Sequence, residues 1–167
     1  MRHMSFPHTY PDPVYDGPGE VSATYRPNAA APDLGSPPGN TVDYLATSAS
    51  TSGAFGLYRW NFGPHVSGPD PHFHRTISES FYVLSGTVLI HDGTRWVETG
   101  AGDFVHVPPG GVHGFRNESG EEASMLLLFT PGAPREEYFE TLFAGGTKDM
   151  TDEEKVAFYL RHDNHWL

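Results

Sequence analysis

Two stretches of the chain carry residues whose types and spacing could do chemistry. The first is HFHRTISE, His72 to Glu79, and the second is GDFVHVPPGGVHGFRN, Gly102 to Asn117. In a strand, alternate side chains share a face, so His72 and His74 point the same way while Phe73 points oppositely. Two imidazoles on one face can share one ion. Arg75 to Ser78 suffice for the connection, and Glu79 then opens the next strand and returns a carboxylate to the same spot. The Pro-Pro-Gly-Gly turn, Pro108 to Gly111, is rigid enough to swing His113 back towards the interior. Three neutral imidazoles and one carboxylate around a cavity suit one divalent transition metal: Fe(II), Mn, Ni, Cu or Zn.

Composition narrows the choices. With no cysteine, there is neither a disulfide nor a thiolate site, and any metal must be held by nitrogen and oxygen. Ten histidines are many for 167 residues. The formal charge of -11, from 10 Lys+Arg against 21 Asp+Glu, offers nothing to gather phosphate backbones or anionic membranes. No apolar run is long enough to cross a bilayer, and no signal peptide is visible. The expectation is a soluble cytoplasmic protein acting on a small molecule, with no nucleic-acid or membrane partner. Neither a P-loop nor a G-x-G-x-x-G motif opens a helix, which argues against a nucleotide site.

The elements that must position these residues are legible from periodicity. Eight of the 15 prolines precede Gly39, which predicts an irregular Pro-rich arm over residues 1–39. The opening MRHM reads partly as an expression scar, so His3 is given no role. Residues 40–130 hold short segments rich in Val, Thr and aromatics: Thr41–Ala46, Gly56–Phe62, His72–His74, Glu79–Ser85, Thr87–His91, Thr94–Glu98, Asp103–Val107, Gly114–Asn117 and Ala123–Phe129. Turn signals such as His91-Asp92-Gly93-Thr94 separate them, and no helical crossover intervenes, which predicts an all-β, antiparallel barrel or sandwich. Over residues 131–167 the period lengthens. Tyr138, Phe139, Leu142 and Phe143 form a helical stripe, and Thr151 with Glu154 begins a second helix as a capping box.

At this point the chain resembles a cupin. The first motif of that family is His-x-His, three or four residues, Glu, six residues, Gly, matched here by His72, His74, Glu79 and Gly86. Its second is Gly, five residues, Pro-x-Gly, two residues, His, three residues, Asn, matched by Gly102, Pro108, Gly110, His113 and Asn117. One departure is Val66, which stands where a glycine is expected before the first histidine. The resemblance covers about residues 40–130 and implies a jelly-roll-like antiparallel β-barrel with His72, His74, Glu79 and His113 as metal ligands. Glu79 has a second possible role, as a base beside the ion. The REEYFETLF segment after the barrel resembles single-domain quercetinase-like members. That implies a metal-dependent dioxygenase acting on an enolic or phenolic aromatic molecule. The alternatives are a non-redox isomerase, decarboxylase or polyketide cyclase, and a small-molecule-binding cupin without catalysis. Many cupins are homodimers, so a homodimer is expected here.

The remaining candidates carry plainer expectations. Phe81, Val83, Phe104 and Phe115 could line a ring-binding pocket or belong to the core. Tyr58, Trp60 and Phe62 alternate onto one face, which suits core packing or a dimer interface better than a substrate platform. His91 reads as a solvated hairpin residue and His65 as a loop residue. The facing of His106 stays open. His162 and His165 read as surface or interface groups rather than a second metal site.

Overall fold

The computed structural model describes residues 10–167, so His3 lies outside the described residues. Eleven strands and two helices follow in order: β1 (Leu34–Gly35), β2 (Thr41–Ala46), β3 (Gly56–Phe62), β4 (His72–Phe73), β5 (Ser78–Ser85), β6 (Val88–His91), β7 (Trp96–Thr99), β8 (Phe104–Val107), β9 (Gly114–Arg116), β10 (Ala123–Thr130), α1 (Glu136–Phe143), α2 (Asp152–Arg161) and β11 (His165–Trp166). Every strand pairing is antiparallel. One sheet runs β1-β2-β3-β10-β5-β8, a second β7-β6-β9, and β11 pairs with β4. Isolated bridges Ser67–Asn117 and His72–His113 tie β4 and its approach to β9. The result is a jelly-roll-like fold in which these bridges join the β4–β11 pair to the three-stranded sheet and no continuous ladder closes a barrel.

Alternation explains the core. Tyr58, Trp60 and Phe62 on β3 face inward with Met125, Leu127 and Phe129 on β10, Phe81 and Val83 on β5, and Val88 and Ile90 on β6. Each such side chain contributes about 1.5–3 kcal/mol by leaving water. The aromatic face of β3 is therefore core. Phe104 is 62% exposed on the outer face, where it stands opposite Tyr82, away from the cavity beside His72 and Glu79. Phe81 and Val83 are sealed in the core. Only Phe115, of the four proposed lining residues, reaches the cavity.

The helices close one end. Phe139 of α1 packs edge-on against Trp60 (5.2 Å) and Tyr58 (5.9 Å). Thr151 and Glu154 form the expected capping box of α2, a device worth about 1 kcal/mol. Phe158 stacks on Tyr138 at 5.5 Å, which joins the two helices. No helix among the described residues is long and apolar enough to cross a membrane.

Two strands escape the sequence pattern. Leu34–Gly35 pairs with β2 inside the stretch read as irregular, and His165–Trp166 pairs with β4 inside the charged tail. Two residues are too few to show a period.

Candidate metal centre

Three separate segments bring the four residues together. His72 lies on β4, and its backbone exchanges two 2.8 Å hydrogen bonds with that of His113. The turn before His113 is held by the Gly110 N–H, which donates to the His74 carbonyl at 2.7 Å. Gly110 has φ +83°, a conformation that side chains other than glycine rarely adopt, so the second motif's glycine has a backbone reason. Glu79 sits on β5 between β8 and β10, paired with Val107 and Phe129. Asn117 ends the stretch fully buried, and its amide donates to the Glu121 carbonyl at 2.7 Å. At the departure from the motif, Val66 is 69% exposed. The close backbone approach falls instead to Gly68, where a Cβ would collide with the Phe115 carbonyl.

All four side chains are buried, and one potential ligand atom from each lies within 4.8 Å of the others. The orientation of the rings is fixed from behind. His72 Nδ1 meets the Asp70 carbonyl at 2.9 Å, His74 Nδ1 the Asp163 carbonyl at 2.7 Å, and His113 Nδ1 the Gly111 carbonyl at 2.9 Å. A carbonyl can only accept, so each Nδ1 carries the proton. That leaves each Nε2 lone pair free to hold a cation. Glu79 Oε2 stands 2.7 Å from His113 Nε2 and 3.2 Å from His74 Nε2. Nitrogen and oxygen lone pairs do not face each other so closely without a positive charge between them. The arrangement calls for a proton or a metal ion at that point.

Titration follows the same logic. Burial pushes the Glu79 carboxyl up, but hydrogen bonds and charge from His113 and His74 overcome this and hold it well below the usual range. Burial lowers His113, and the Glu79 contact outweighs it and raises it. His72 is pushed down to about 4 by burial, helped by the neighbouring His113. It stays neutral, which keeps its Nε2 lone pair available.

Beside the cluster opens a cavity of about 570 Å³. His72 and Glu79 lie in its wall with Trp60, Phe115, Phe139, Leu142, Phe143, Tyr138, Tyr159 and Trp166 among the rings and alkyl groups, and Arg135 and Asn164 among the polar ones. The space suits a drug-sized aromatic molecule.

The other described histidines stand apart from the cluster. His106 is exposed on the outer face of β8, with Nδ1 2.9 Å from the Ser80 hydroxyl. His65 is an exposed loop residue, and His91 packs edge-on against Trp96 at 5.2 Å. His162 and His165 are half-buried within the chain's own packing rather than on its surface. The first lies against Phe158 (4.8 Å), and the second stacks on Phe73 (5.0 Å).

Sequence reasoning missed the tail's part in the site. Asp163 supplies the carbonyl behind His74, and its carboxylate accepts from the Arg75 N–H (3.0 Å), the Thr76 N–H (2.8 Å) and the Thr76 hydroxyl (2.6 Å). Trp166 packs on the His72 ring at 5.0 Å. Asn164 donates to the Tyr138 hydroxyl at 2.7 Å and accepts from Arg135 at 3.0 Å. The RHDNH string was the available signal, but its charges pointed to the surface.

Comparison with known proteins agrees with this architecture. Residues 58–129 match the family model described as Cupin domain. A stretch of 98 residues is 31% identical to quercetin 2,3-dioxygenase of Bacillus subtilis, covering 59% of this chain. The chain spans only 28% of that relative's length. Among solved structures, the polyketide cyclase RemF from Streptomyces resistomycificus superposes with a TM-score of 0.52 at 24% identity, covering 66% of this chain and 79% of that one. An RmlC-like cupin from Shewanella frigidimarina gives 0.54 at 20% identity, with 71% and 96% covered. These two likenesses concern the fold.

Proposed function

We propose that this chain is a cupin that holds one divalent transition metal on His72, His74, Glu79 and His113 and acts as a dioxygenase on an enolic or phenolic aromatic small molecule. The observation that carries the reading is the set of three imidazoles, each with its Nδ1 proton on a carbonyl, converging with a buried carboxylate at the wall of an aromatic cavity. The likeness to quercetin 2,3-dioxygenase supports the choice of substrate class. When bound, the metal would supply Lewis acidity and, if redox-active, a place for dioxygen.

The chain's own residues would do the rest. Trp60, Phe115 and Phe139 give a flat molecule ring faces to rest on and exclude water. Both imidazole contacts fall on Glu79 Oε2, which leaves Oε1 to take the proton of a substrate enol. The carbonyls of Asp70, Gly111 and Asp163 keep the imidazoles from turning as charge moves.

A non-redox reading, in which the ion polarises a carbonyl of a cyclase, isomerase or decarboxylase substrate, uses the same residues, and RemF shows the fold in a polyketide cyclase. We further take the protein to be a cytoplasmic homodimer. The exposed apolar pair Tyr82 and Phe104 on β5 and β8 supports such a face.

The test is metal analysis of protein purified without added metal or histidine tag, beside His113→Ala, followed by oxygen-uptake assays with enolic aromatics. Iron, manganese, nickel or copper near one per chain, lost in the variant, together with oxygen consumption, is the expected result. Zinc with turnover but no oxygen uptake favours the non-redox reading. Metal retained by His113→Ala would sink the ligand assignment.

A further inference from the structure

Arg135 is a buried cation with no anionic hydrogen-bond partner among the described residues, its charge supported only through space by Glu79 and Asp163. It is 4% exposed and follows Pro134 at the N-cap of α1, where a cation opposes the helix dipole. Glu136 does not answer it, since that carboxylate accepts from the Tyr58 hydroxyl at 2.7 Å. Among the described residues its guanidinium donates only to neutral acceptors, the His162 carbonyl and Asn164 Oδ1, and its Nε is buried without a partner. Two of five N–H protons are thus used. The ring faces of Tyr138 (4.4 Å), Phe139 (5.4 Å) and Phe129 (5.7 Å) offset part of the lost hydration, but a buried cation is well compensated only by an anion.

That guanidinium lines the same cavity as Glu79 and His72. So does Trp60, whose indole N–H is also buried without a partner and whose ring rests on Phe139 at 5.2 Å. Two residues of this wall, one of them charged, thus hold a donor without a partner, among rings and alkyl groups and beside the polar His72, Glu79 and Asn164. A neutral aromatic ligand would leave both unpaired.

We infer that Arg135, aided by Trp60, forms an oxyanion subsite, so that the cavity takes an aromatic molecule bearing a carboxylate or other ionised oxygen. This rests on reading the cavity as the substrate site, and it adds the charge of the substrate to its class. The anion sits on the guanidinium, while the reacting oxygen of the same molecule faces Glu79. Arg135 is in this view a specificity residue and takes no part in proton transfer.

The experiment is calorimetric titration of the metal-loaded full chain with 2-naphthoate and with 2-naphthamide, which share a ring and differ in charge. The wild type is expected to prefer the acid by roughly tenfold or more, the range of a charge-assisted contact. Arg135→Gln removes the preference, read as the ratio of the two affinities so that a loss common to both probes cancels. Arg135→Lys keeps the charge without the planar fork and retains a reduced preference. Trp60→Phe loses roughly fivefold for the acid, one hydrogen bond. Equal affinity of the wild type for both probes, or no binding of 2-naphthoate, would overturn the subsite. So would a preference that survives in Arg135→Gln, since the carboxylate would then sit on the metal. Should Arg135→Gln fail to fold, an undiminished preference in Arg135→Lys overturns it equally. Acid preference without oxygen uptake would leave the subsite standing and remove the dioxygenase reading; oxygen uptake without acid preference would do the reverse.

Discussion

The sheet wall of the molecule and its mouth are built from different interactions. In the wall, β3, β10 and β5 pair through long ladders, and their inner faces carry apolar and aromatic groups, with Glu79 the charged exception at one end of β5. At the mouth, β4 and β11 are two residues each, and order comes from side chains bonded to distant backbone: Asp163 to Arg75 and Thr76, His74 to Asp163, Arg135 to His162. The wall is cooperative and tolerant of small polar changes outside it. The mouth is a set of individual polar contacts in which each lost partner turns one ring. One region therefore decides whether the protein folds, and the other decides how its four converging side chains are aimed.

The largest effect should come from the wall. Leu127 is fully buried between Tyr58 and Phe81, and Leu127→Ala should cost roughly 2–5 kcal/mol in urea unfolding. Metal bound per folded chain should stay unchanged. A matching loss of metal from the folded fraction would mean the two regions are one unit.

A smaller effect separates them by pH. Burial, with the neighbouring His113, holds His72 from 6.5 down to about 4, so between these values the unfolded chain binds more protons than the folded one. Stability of the metal-free protein should therefore fall as pH drops from 6.5 towards 4, by about 3 kcal/mol for this shift. His72→Gln should flatten that slope in chemical denaturation run across the window. An unchanged slope would place the proton uptake elsewhere.

The smallest effect tests the mouth alone. Asp163 lies at φ +55°, a conformation that Asn also tolerates, so Asp163→Asn keeps the turn and weakens only the clamp on Arg75 and Thr76. Metal affinity should fall roughly tenfold, as for groups that orient ligands, with little change in melting temperature. Competition against a chromophoric chelator measures it. A large drop in melting temperature with affinity intact would make the clamp a folding element.

The same contrast governs what could be read from the chain. Alternation over Gly56–Phe62 and Ala123–Thr130 names the core face directly, because a period of two survives wherever a strand has one wet side. The capping box at Thr151 was legible for a similar reason, being local. Phe104 misled because an edge strand can turn a large ring outward, and the exposed face of β8 carries no marker of its direction. Arg135 gave no signal, since a lone arginine after a proline looks like any surface cation.

By itself the sequence determined the strand faces, the spacing that lets His72, His74 and Glu79 meet, and the rigid turn before His113. These follow from bond geometry within a few residues. Only the tertiary structure decided that the carbonyl behind His74 comes from a residue 89 positions away, that Trp166 covers His72, and that a buried guanidinium shares a cavity with Glu79. Such contacts depend on where two helices return the chain to the sheets, and that path is set by packing of the whole core.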